Sequence, residues 1–213
     1  AFAKSYVSSG GNRGDVKDKL KRRIKLNLPV LADTFKFIIH SPSKAKLPKT
    51  KLFYLKALTV ARERVNLLSP YYVPDRTFLQ GIKIATARGV KVNIFLPFRS
   101  DLLLMELLSK TYFEESLKAG AAIYLMPKMN HGKALTVDTK LGLIGSINLM
   151  PRSFSHHEES AVSFTNPKMV ADLNAMFEEL KVGAEEVNID RWRKRSRWQR
   201  VREWLAKKFE YFV

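Results

Sequence analysis

From residue 51 onward, short apolar stretches alternate with longer amphipathic ones. This alternation constrains the fold more than any other feature of the 213-residue chain. Residues 51–64 read as a helix, and VNLLSP (65–70) as a short buried strand stopped by Pro70. Asp75 caps a helix over 76–89 that Gly89 ends, and VKVNIFLP (90–97) alternates as a strand. Ser100 caps a helix over 100–120, with Gly120 as its stop, and AAIYLM (121–126) is a strand. Two further strands lie within 131–148, followed by a polar loop over 151–159 and a strand over 160–165. A last helix has Asn166 as its cap and Pro167 at its first position. Strands interleaved with helices predict an α/β domain of three layers, α/β/α, around a mixed, mostly parallel sheet.

Charge divides the rest. Residues 1–51 hold 13 Lys/Arg against 3 Asp/Glu and residues 189–213 hold 9 against 3, while residues 52–188 are nearly balanced, at 16 against 14. Strongly basic ends attract polyanions, either nucleic acid or an anionic membrane surface. The predicted organisation is a basic connector over 1–50, a folded unit over 51–188 and a basic amphipathic helix over 189–213. Within the connector, 8–14 reads as a loop, 15–27 as a basic helix, and the apolar LADTFKFII as either strand or helix. In the terminal helix Trp198, Val201, Leu205, Phe209 and Phe212 form one stripe with Lys and Arg on the other faces. That arrangement suits a membrane interface; the alternative is a helix docked on its own domain. No run of about 18 uncharged apolar residues occurs, so none of this sequence reads as a transmembrane helix. The absence of cysteine excludes disulfides, thiolate metal sites and a Cys nucleophile. The four histidines lack metal-ligand spacing, and no metal or other cofactor is expected.

The chemistry concentrates in HGKALTVDTKLGLIGSIN, residues 131–148, with the pattern H-x-K-x4-D-x6-G-S-x-N. On a strand, residues two apart share a face, so His131 and Lys133 point together. Asp138, five on from Lys133, points away and braces the scaffold. Lys133 offers a fixed cation for a phosphate, Ser146 and Asn148 offer neutral donors, and His131 offers a nucleophile or a general acid and base. The set suits attack on a phosphodiester, with the lysine supplying charge neutralisation.

These residues resemble the HKD motif of the phospholipase D superfamily at every defining position. The surrounding SPYYVPD (69–75), ARGVKVNIFLP (87–97), YFEESLKAGAAIY (112–124), NLMPRSF (148–154) and RWQRVREWLAKKF (197–209) resemble the C-terminal half of bacterial cardiolipin synthases. The resemblance implies that 51–188 is a phospholipase D-like half-domain. It also implies a phosphohistidine mechanism in which one HKD histidine attacks phosphorus and a second, from another HKD motif, protonates the leaving alcohol. It assigns phosphate binding to Lys133, Ser146 and Asn148, support of the motif to Asp138, and orientation of His131 to Glu159. The family's usual Asn-x-Glu is His157-x-Glu159 here; Glu158 falls out of register, and His156 and His157 read as loop residues.

Only one HKD motif is present, because His40 is followed at the lysine position by a serine. The chain is therefore a fragment of a two-motif enzyme, a partner in a homodimer, or inactive alone. The expected function is phosphatidyl transfer between phosphatidylglycerol molecules at a bacterial membrane, peripherally attached. Partners would be anionic phospholipid and a second HKD half, with nucleic acid disfavoured. Hydrolysis by a phospholipase D or a nuclease, and a non-catalytic membrane-binding module, are the alternatives.

Overall fold

The computed structural model describes residues 35–41 and 48–210. The expected loop at 8–14, the basic helix at 15–27 and Phe212 of the terminal stripe lie outside the described residues. The described strands are β1 (Phe35–His40), β2 (Arg64–Leu68), β3 (Lys91–Pro97), β4 (Ala122–Met126), β5 (Ala134–Val137), β6 (Leu141–Gly145), β7 (Glu159–Phe164) and β8 (Glu185–Glu186). They form one sheet in the order β1-β7-β6-β5-β2-β3-β4-β8. The helices are α1 (Lys49–Val60), α2 (Arg76–Ala87), α3 (Leu103–Thr111), α4 (Phe113–Lys118), α5 (Pro151–Ser155), α6 (Pro167–Val182), α7 (Ile189–Arg193) and α8 (Arg197–Lys207).

The α/β class and the mixed sheet hold, but parallel pairing is narrower than expected. Only β2–β3 and β3–β4 pair in parallel, and the other five neighbours are antiparallel. The reason is connection length. Helices α2 and α3–α4 carry the chain across between the parallel strands, whereas β5 and β6 are joined by three residues, a hairpin that allows only antiparallel pairing. A second correction concerns the boundary placed near residue 50. Phe35–His40 pairs along its whole length with β7, and the compact unit that carries the motif begins at Phe35.

Strand parity divides the core into two layers. Val65, Leu67, Val92, Ile94, Ile123, Leu135 and Leu143 face one side, under α1, α2 and α5. Tyr54, Phe78 and Phe154 interlock there, with ring centroids 5.7–6.5 Å apart. Phe154 explains why residues read as a polar loop contain α5: its ring anchors a five-residue helix against α1 and α2. On the opposite side, Leu68, Phe95, Tyr124 and Met126 meet Phe177 of α6. Burying such an aromatic side chain contributes about 1.5–3 kcal/mol. Asp75 and Asn166 cap α2 and α6 as expected, accepting from Phe78 N and Met169 N. The helix expected over 100–120 divides at Tyr112, whose ring carries the Lys207 ammonium 3.7 Å from its centroid.

Helix α8 docks through its polar side. Glu203 is buried, accepting from Arg195 at 2.9 Å and Gln199 at 3.0 Å, and Ala206 is buried beside it. Trp198 (71% exposed), Val201, Trp204, Leu205 and Phe209 face outward. Among the described residues no helix is long and apolar enough to cross a membrane.

Candidate active site

The C-terminal ends of β2, β3, β4 and β6 and the N-terminal ends of β5 and β7 lie at one edge of the sheet, because Leu68 pairs with Ala134 and Gly145 with Ala161. Crevices beyond the carboxyl ends of parallel strands are where open α/β sheets place ligands. His131 and Lys133 precede β5 rather than lying within it, although the Lys133 carbonyl still accepts from Gly145 N at 3.1 Å. The His131 ring is open, its side chain 58% exposed. Lys133 Nζ donates to the His131 carbonyl at 2.6 Å. Burial lowers the Lys133 pKa, against the opposing pull of Glu159 and Asp101.

Ser146 and Asn148 follow β6. Gly145 is required at the end of that strand: a Cβ there would come within 2.6 Å of Ala161 Cα, inside the backbone of β7. This close approach lets Ser146 N donate to Ser160 O at 2.9 Å and Ser160 N donate to Ser146 Oγ at 3.1 Å. Ser146 Oγ in turn donates to Glu159, which is buried at 7% exposure. The carboxylate's charge also reaches Tyr54, whose hydroxyl pKa is raised first by burial and then by Glu159. Asn148 carries a buried amide oxygen without a hydrogen-bond partner. Its backbone is fixed by Ser69, whose Oγ accepts from Leu149 N at 3.2 Å and donates to Tyr71 O at 2.6 Å.

The structure gathers His131, Lys133, Ser146, Asn148 and Glu159 at this edge but not Asp138. Asp138 ends β5 at the opposite edge, with a left-handed φ of 51°. Its carboxylate accepts from the backbone N–H groups of Arg62, Glu63 and Arg64 at 2.9–3.1 Å. Burial opposes ionisation there, but those three bonds outweigh it and hold the pKa below the usual value.

Two residues beside His131 were not singled out from sequence. Asp101 Oδ2 lies 3.9 Å from His131 Nδ1, and Tyr71 presents its ring edge-on to the imidazole at 5.7 Å. The Tyr71 hydroxyl donates to both Asp101 oxygens, at 3.0 and 3.1 Å. Burial and then Asp101 raise the Tyr71 pKa to about 12. Burial works against the Asp101 charge, but Tyr71, Ser100 and His131 together lower its pKa. The group beside His131 Nδ1 is thus Asp101, while Glu159 holds Ser146. His157 Nδ1 lies 4.0 Å from Glu159, and the β1–β7 register sets the buried His40, whose Nε2 has no partner, opposite Glu159.

Comparison with known proteins shows the family of the chain. Residues 54–181 match the family described as "Cardiolipin synthase, PLD-like domain". The minor cardiolipin synthase ClsB of Bacillus subtilis is 32% identical over 161 residues, which is 75% of this chain and 40% of that protein. A cardiolipin synthase of Clostridium perfringens is 34% identical over 152 residues, 70% of this chain and 32% of that protein. The chain therefore spans 32–40% of the length of these relatives. Among solved structures, the phospholipase D family member Nuc of Salmonella typhimurium shares the fold at a TM-score of 0.60 and 17% identity, covering 72% of this chain and 99% of that one. Phosphatidylserine synthase of Haemophilus influenzae does so at 0.62 and 15%, covering 94% and 52%. With the HKD residues in place on this sheet and the family match covering more than half its length, the chain belongs to the PLD-like domain family of cardiolipin synthases.

Proposed function

We propose that this chain is one catalytic half of a phosphatidyltransferase that moves a phosphatidyl group between two phosphatidylglycerol molecules. The observation that carries the reading is the convergence of His131, Lys133, Ser146 and Asn148 at one sheet edge, in a family whose named relatives are cardiolipin synthases. Asp101 lies 3.9 Å from Nδ1, so the other ring nitrogen, Nε2, is the one assigned to the chemistry. In one step a histidine Nε2 forms a bond to phosphorus and the glycerol oxygen leaves with a proton from a second histidine. In the next, the hydroxyl of another phosphatidylglycerol attacks the phosphohistidine and returns its proton to that second histidine. Cardiolipin and free glycerol result. His131 is one of the two histidines, and its counterpart comes from a second HKD half, supplied in the same polypeptide or by another copy.

Lys133 would offset phosphate charge, and an arriving anion would reverse the burial that lowers its pKa. Ser146, whose one hydroxyl proton goes to Glu159 in this structure, would turn it to a phosphate oxygen when substrate arrives. The reaction would take place on an anionic membrane, which the outward apolar stripe of α8 and its flanking Arg197, Arg200 and Lys208 suit. The test is to incubate an assembly containing both HKD halves with phosphatidylglycerol vesicles and to analyse the lipids formed. Cardiolipin with equimolar glycerol supports the reading; phosphatidic acid as the sole product replaces transfer by hydrolysis.

A further inference from the structure

Beside His131 an open groove of about 370 Å³ runs between the start of α3 and the segment around α5. Its polar end holds Asn148, Arg152 and His157, and Tyr71 connects it to the imidazole. Its other end is formed by Leu102, Leu103 and Leu104, of which the first two are each 54% exposed. Three consecutive exposed leucines beside an anion-binding site form an apolar surface that costs free energy in water unless something covers it. The size is that of a small-ligand site, roughly 300–1,000 Å³.

We propose that this groove is the acyl-chain subsite of the phospholipid whose phosphate is held at His131 and Lys133. The inference rests on the phosphate-binding reading above and adds to it where the lipid's tail lies. The lining supplies both surroundings an anionic amphiphile requires: Asn148, Arg152 and His157 on the α5 side, and leucines on the α3 side. A second feature favours lipid over a protein partner. Helix α8 docks against α3, contacting it near Tyr112, and turns Trp198, Val201 and Leu205 outward. The uncovered apolar stripe and the leucine-lined groove are thus carried by one pair of packed helices, as expected where a lipid surface covers both.

The experiment titrates the full chain with dihexanoyl phosphatidylglycerol below its micellar concentration and, separately, with glycerophosphoglycerol, the same head group without chains. The lipid should bind at least tenfold more tightly. Leu103→Ser should bring its affinity down to that of the head group while leaving head-group binding unchanged, and Lys133→Ala should weaken both. Leu103 is exposed, so the variant keeps its fold, and a thermal melt verifies this. Equal affinity of the two ligands, or a lipid affinity indifferent to Leu103→Ser, overturns the subsite and leaves the phosphate site standing. Failure of both ligands to bind overturns the phosphate site and the subsite together. If Leu103→Ser dissociates a dimer in sedimentation without changing lipid affinity, the groove is a contact between copies and not a lipid site.

Discussion

The two ends of β5 belong to one motif and have opposite physical characters. At the N-terminal end, His131 is largely open to solvent and Asp101, 3.9 Å from its Nδ1, is itself about half exposed. At the C-terminal end, Asp138 is 7% exposed and its carboxylate takes three backbone N–H groups from the α1–β2 loop. Its backbone carbonyl also accepts from Asn174 of α6, and Asn174 in turn meets Asn66, which binds Thr136 and Asn93. One end is saturated by the protein and the other leaves capacity for a substrate. The difference shows how a four-residue strand serves catalysis: the saturated end fixes β5 against β2 and α6, so that the open end is held at a defined place on the sheet edge.

The largest effect that separates the ends is on rate. His131→Ala removes a group that would transfer or accept protons or attack phosphorus, contributions of roughly 10²–10⁴-fold each. In an assembly containing both HKD halves, lipid product should fall by about 10³-fold or more, while the thermal midpoint stays within a degree or two of wild type. A loss of stability on the scale of a core substitution would erase the distinction between the ends.

Asp138→Ala should do the reverse. It strands three N–H groups at a partly buried turn, each charge-assisted bond being worth about 1.5–3 kcal/mol, and it places a β-carbon residue without a local acceptor at positive φ. Partial repair by water keeps the net cost near about 3 kcal/mol, measured by denaturant unfolding, with activity per folded molecule retained. The pH dependence has a definite sign. The folded pKa lies below the usual 3.8, so the contribution is complete above that value and is lost as pH falls through the folded pKa. The stability gap between wild type and Asp138→Asn should therefore be constant near neutrality and close below about pH 4.

How much of this was legible in the sequence follows from what periodicity can carry. The β2–β3–β4 units and their helices were readable because apolar residues recur at strand and helix spacing and Asp75 and Asn166 mark helix starts. Strand direction was not, since parity is the same for parallel and antiparallel neighbours. β1 was ambiguous because Phe37 and Ile39 face outward at an edge, so its pattern lacks a buried face. At the site, the motif located His131, Lys133, Ser146 and Asn148, all near one strand edge. Asp101 was hidden because it stands 30 residues from both Tyr71 and His131, in a stretch read as the start of a helix. Only the folding of the loops after β2 and β3 brings it to Nδ1.

Between rate and stability stands Gly145, which joins the two properties. A methyl there collides with the β7 backbone and must push β6 and β7 apart. Overpacking of this kind costs about 1–3 kcal/mol. Because the same approach seats Ser146 on Ser160 and Glu159, Gly145→Ala should lower both the unfolding midpoint and the affinity for a phosphate ligand. A loss of stability with unchanged phosphate affinity would show that Ser146 does not depend on the strand spacing.

The smallest expected effect tests whether the open end is tuned at all. Asp101→Asn keeps the shape and a hydrogen-bond acceptor beside Tyr71 but removes the charge facing His131 Nδ1. Loss of that charge should lower activity by about tenfold, equivalent to about 1.4 kcal/mol. The Tyr71 pKa, raised to about 12 partly by the same carboxylate, should fall in parallel and can be followed by ultraviolet titration. Tyr71→Phe separates the roles: it leaves the charge in place but frees the carboxylate from its tether, so activity should drop by less than in Asp101→Asn. An equal loss in both variants would mean that the position of Asp101, rather than its charge, governs His131.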